Sequence, residues 1–145
     1  MKLGFLTACL PDVPLPELAA CAADHGYRAL EAAAWPATGN RPFTASHLAA
    51  ESFDRAEAEQ VAELLHRHGI TPSSLAHHDN PLHPDPEERV RVHAHLRRIV
   101  DTLDEGGYDG VLSVEHEDPV WSGDRHRTET GLEIARRTRA PLLAG

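Results

Sequence analysis

Basic residues are in short supply: 14 Lys and Arg stand against 23 Asp and Glu, a formal net charge of −9 with histidine neutral. That balance argues against nucleic acid as a general partner, because neutralising phosphates takes a basic surface. Cysteine is scarce as well. Cys9 and Cys21 are the only two and form no C-x-x-C pair, so reduced thiols are expected rather than a disulfide framework. No apolar run nears the ~20 residues of a membrane helix, so no membrane partner is expected. Residues 1–6 carry no long apolar stretch ahead of a cleavage site, so no signal peptide and a cytoplasmic location are expected. Also lacking are a Ser-His-Asp order, HExxH, a P-loop and GxGxxG.

What the chain does have is 145 residues, 41% of them hydrophobic, enough for one domain with a core. Eleven histidines are unusual for that length. Three segments share one grammar, in which a helix-like stretch ends at glycine and an apolar run follows. They begin at His25-Gly26-Tyr27, His68-Gly69-Ile70 and Gly107-Tyr108-Asp109. Glycine just past a helix end can close the last turn in the left-handed conformation. Short connections repeated in this way predict stacked βα units.

Caps and period place the helices. One runs from Pro14 to about Asp24. Asp54 opens the next with Glu57 three residues on, a capping box. Asp85, Pro86 and Glu87 open a third, with Val92, Leu96, Ile99, Val100 and Leu103 at helical spacing. A fourth, from about Asp124 to Arg139, has a thin apolar face of Leu132, Ala135 and Leu142. Strands are predicted over residues 3–7, 28–33, 71–76 and 110–115, short and apolar as strands covered by helices should be. The fold class is therefore α/β: about four βα units on a parallel sheet, in one domain over residues 1–145. Long βα loops at about 35–53 and 77–84 fall on the face that carries chemistry in such proteins.

Three constellations stand on that face. Glu115-His116-Glu117-Asp118 ends the last strand, where hard oxygen donors and imidazole suit a divalent metal and the alternative is a solvated acidic loop. His77-His78-Asp79-Asn80-Pro81-Leu82-His83 follows the third strand. It fits metal or polyol binding, or a polar turn built on Asp-Asn-Pro. Glu31 sits in an apolar strand ahead of Trp35. It is either a cleft acid that binds a hydroxyl or an ion-pair partner of Arg28 or Arg41. His93 and His95, mid-helix, and His66 and His68, near a helix end, are expected on the surface.

Four segments together resemble the sugar phosphate isomerase/epimerase branch of the xylose-isomerase-like TIM-barrel family. They are Lys2-Leu3-Gly4-Phe5-Leu6-Thr7, Gly26 through Pro36, Asn80-Pro81-Leu82-His83-Pro84-Asp85-Pro86, and Gly107 through Pro119. Residues 1–101 are similar to the family's first three βα units and residues 102–145 to its last. The resemblance implies a partial, internally shortened TIM barrel, since a complete one takes about 250 residues. It implies metal-dependent proton transfer on a small sugar or polyol. Glu115 would be the metal ligand for Mn, Mg, Co or Zn, the counterpart of the last of the family's four ligands; the strands that bear the other three have no counterpart. Glu31, Trp35, His77, Asn80 and His116 would contact substrate. Open strand edges imply a homodimer that completes the barrel. The alternative is a non-catalytic binding module or relic that self-associates through its open half-barrel. A third reading, phosphodiester hydrolysis, is opposed by the acidic charge.

Overall fold

The computed structural model describes residues 1–36, 45–108, 120, 121 and 123–143. They form a three-stranded parallel sheet in the order β1-β2-β3 and four helices. The strands are β1 (Gly4–Leu6), β2 (Ala29–Ala33) and β3 (Thr71–Ala76). The helices are α1 (Leu15–Asp24), α2 (Arg55–Arg67), α3 (Pro86–Glu105) and α4 (Arg125–Arg139). β1 stops sooner than the apolar pattern suggests, because Thr7 enters a 3-10 turn over Thr7–Cys9. The predicted strand 110–115 lies outside the described residues, and so do Arg41, Glu115, His116, Glu117 and Asp118.

The helix signals act as their chemistry requires. The Asp54 carboxylate accepts the Glu57 N–H at 2.9 Å while Glu57 accepts the Asp54 N–H at 3.2 Å, a complete capping box. Asp85 accepts the Glu87 N–H at 2.8 Å, with Pro86 in the first helical position. Asp124 caps α4 through the Arg127 N–H at 2.9 Å. Gly26, Gly69 and Gly107 stand just past the ends of α1, α2 and α3 with φ of 82°, 66° and 69°, where a Cβ would be strained.

β2 is the middle strand and is buried along nearly its whole length. Its side chains alternate between two faces. Leu30 packs with Ala19 and Ala22 of α1 and Leu65 of α2. Ala32 meets Leu15 and Leu48, and Ala34 meets Ile99 of α3. Those three residues face the helices. On the opposite face Ala33 packs with Leu6, Ala8, Trp35, Ala45 and Ala76. Glu31 shares that face and is half-buried.

The stretch 45–53 is more than a surface loop. Ser46 forms an antiparallel bridge with Ala34, and Ala45, Leu48 and Ala50 are buried. A loop that returns across the strand end must bring apolar side chains with it, or its burial would cost more than it gains.

Gly69→Ala should destabilise the fold by roughly 1 kcal/mol, the cost of a side chain in the left-handed region, read as a lower urea midpoint with unchanged slope. The Glu87 N–H holds the Asp85 carboxyl below its ordinary 3.8. A depressed carboxylate stabilises the fold above its unfolded value and loses that contribution as pH falls through the folded one. An NMR titration should therefore place the Asp85 midpoint below 3.8, with the first-turn amides of α3 losing protection as it is passed.

Candidate functional site

The carboxyl ends of β1, β2 and β3 converge on one rim. At β2 the backbone turns out of the sheet, and its polar groups need new partners. Thr7, fully buried, supplies one: its Oγ1 accepts the Ala33 N–H at 2.8 Å. The same hydroxyl stands 2.9 Å from Nδ1 of His47, whose Nε2 lies 3.2 Å from the Leu10 carbonyl. A self-consistent proton assignment has Thr7 donating to Nδ1 and Nε2–H donating to Leu10. The His47 N–H donates to the Ala33 carbonyl at 2.8 Å, and the Trp35 N–H to the Ala45 carbonyl at 3.1 Å. Histidine and threonine thus pin the β2–α2 loop to the rim.

The second half of the rim follows β3. His77 turns toward α3, its side chain 4% exposed, with Nε2 at 2.9 Å from Oδ2 of Asp79, itself 13% exposed. Its ring lies 4.7 Å from that of His95, tilted by 55°. His78 is exposed and meets the ring of Trp35 edge-on at 5.3 Å. The Asn80 side-chain oxygen accepts the Leu82 N–H at 2.8 Å, the Asx turn that Asp-Asn-Pro favours.

His95 does not lie on the surface, contrary to its expected place mid-helix among polar neighbours. It is buried, and Nε2 donates to the Ala34 carbonyl at 2.7 Å while Nδ1 stands 3.3 Å from Oε1 of Glu51. His93 is half-buried too and reaches the Pro81 carbonyl at 2.8 Å. The reason is tertiary: both rings find carbonyl partners on segments distant in sequence, and a partnered polar ring can be buried where an unpartnered one cannot. His66 is exposed as expected.

Trp35, His77 and Asn80 therefore meet on one rim, joined by His78 and Asp79. Glu31 is apart from them. Register pairs it with Ser74, four residues before His78, so it lies roughly 13 Å down the sheet. Its anticipated partner Arg28 donates instead to the Ala23 and Tyr27 carbonyls. Glu115 and His116 lie outside the described residues. Thr7, His47, Glu51 and His95 are rim residues that sequence reasoning missed. For His95 a signal existed: it falls four residues before Ile99, on the core stripe of α3.

Thr7→Val keeps the shape but removes the acceptor of the buried Ala33 N–H. It should cost about 1–3 kcal/mol in urea unfolding and free residues 45–53 for amide exchange.

No family model matches the chain, and no curated protein matches it. Among solved structures it is similar to the crystal structure of D-psicose 3-epimerase in the presence of D-fructose. The likeness covers 98% of this chain and 50% of that one, with a TM-score of 0.56 and 16% identity. At that identity it is a likeness of fold: the α/β architecture follows half of a TIM-barrel epimerase, and the chain spans about half that structure's length.

Proposed function

We propose that the rim binds a small sugar or polyol and carries out isomerase/epimerase-type proton transfer through the His77–Asp79 pair. The observation that carries the reading is this imidazole–carboxylate pair, 2.9 Å apart, at the carboxyl end of a parallel strand. A carboxylate beside an imidazole orients the ring and raises its basicity, the arrangement that suits it to general-base work. The exposed His78 ring, edge-on to the buried Trp35, forms the adjoining wall. An aromatic wall accepts the C–H face of a sugar, while polar groups at the rim take its hydroxyls. The likeness to an epimerase examined with D-fructose supports the substrate class.

A divalent metal belongs to the same reading through the family resemblance. Among the described residues no group of three or more His, Cys, Asp or Glu is arranged to hold one. Glu115 remains the proposed ligand.

One observation favours a second reading, a binding module without catalysis: His77 is only 4% exposed, so a substrate must displace neighbours to reach it.

Incubation with D-fructose in deuterium oxide, with and without Mn²⁺, tests both. The first reading expects solvent deuterium at the carbon beside the carbonyl. It also expects a loss of about 10²-fold or more in His77→Gln, the usual size of a general-base contribution. Saturable binding seen by tryptophan fluorescence without deuterium incorporation selects the binding module. Neither binding nor incorporation across ketoses and polyols discards the sugar reading.

A further inference from the structure

We propose that His95 is a positioning residue that sets the ring orientation and tautomer of His77; the inference deepens the proton-transfer reading and rests on it for its functional meaning. His95 occupies a core position of α3, with Ile99 and Thr102 buried on the same stripe. An apolar side chain there would complete the stripe without any polar atom to satisfy. The chain instead buries an imidazole whose Nε2 donates to the Ala34 carbonyl at 2.7 Å, with the Glu51 carboxylate 3.3 Å from Nδ1, an ion pair only when the ring is protonated. Packing on the buried stripe of α3 holds the ring in place, and the Ala34 bond anchors its Nε2 edge. The fixed ring lies 4.7 Å from that of His77 and tilted by 55°. That contact restricts the plane in which the His77 imidazole can lie, and the plane decides whether Nε2–H points at Asp79, 2.9 Å away. Ala34 directly follows β2, Glu51 belongs to the loop beyond it, and His77 follows β3. His95 therefore references the acid–base pair to two other parts of the rim.

A purely structural role predicts something different. If His95 only ties α3 to β2, the Ala34 bond is what matters and the ring contact is incidental. Two substitutions separate these. His95→Gln can keep a donor at the Nε2 position for Ala34 while removing the ring. His95→Phe keeps a ring in the same packed position and removes the Ala34 hydrogen bond and the Glu51 contact.

The readout is the tautomer ratio of His77, measured by ¹⁵N-resolved NMR of the imidazoles in mildly alkaline solution without any sugar. The wild-type chain should show the Nε2–H form in excess. His95→Gln should shift the ratio by about two- to tenfold, the range of aromatic pair energies, while His95→Phe should leave it within about twofold. An unchanged ratio in His95→Gln, or an equal shift in His95→Phe, overturns the proposal. Should His95→Gln fail to fold, His95→Phe still decides, since a retained ratio supports the ring contact and a shifted one refutes it. Because no sugar is present, a tautomer shift alongside absent deuterium incorporation would sink the activity and keep the positioning role. Deuterium incorporation alongside an unmoved tautomer would do the reverse.

Discussion

The structure depends on satisfying the backbone of β2 where it leaves the sheet. Ala33 and Ala34 are fully buried there, so each N–H and C=O needs a partner other than water. Thr7 takes the Ala33 N–H, Ala76 the Ala34 N–H, His47 the Ala33 carbonyl, and His95 the Ala34 carbonyl. Each partner comes from a different part of the chain. The strand end is thus the point where β1, β3, α3 and the β2–α2 loop are tied together.

The run of small residues makes this convergence possible. Ala32, Ala33 and Ala34 let α1, α3 and the returning loop approach the strand closely from both sides. Larger side chains would push the loop away and leave Thr7 and His95 without their backbone partners. The same ties give the rim its chemistry. A histidine that anchors α3 also lies against the histidine held by Asp79, so what secures the strand end also shapes the candidate site.

Much of the fold was legible residue by residue. Asp54 with Glu57, Asp85 with Pro86, and the glycines at 26, 69 and 107 encode helix starts and stops through local chemistry, and local chemistry survives into the tertiary structure. The candidate site was legible in part. Trp35, His77 and Asn80 could be placed on the rim because each lies within four residues of the carboxyl end of a strand. Glu31 stands four residues before Trp35, a spacing the sequence already carries, while its pairing with Ser74 depends on register, which belongs to a pair of strands rather than to one. His95 was misplaced because burial of a polar ring is decided by partners that are distant in sequence: Ala34 is 61 residues away.

By itself the amino-acid sequence determined the order of the helices and strands among the described residues, where those helices are capped, and which loops lie at the carboxyl ends of those strands. Caps, periodicity and turn chemistry act over three or four residues and carry their own physical cause. Only the tertiary structure decided that His77 turns inward to Asp79 and His95 while His78 turns outward beside Trp35. It alone decided that Thr7 and His47 hold the loop to the rim. Those choices depend on side-chain direction, on strand register and on the pairing of buried polar groups, which arise only when segments far apart in the chain come into contact.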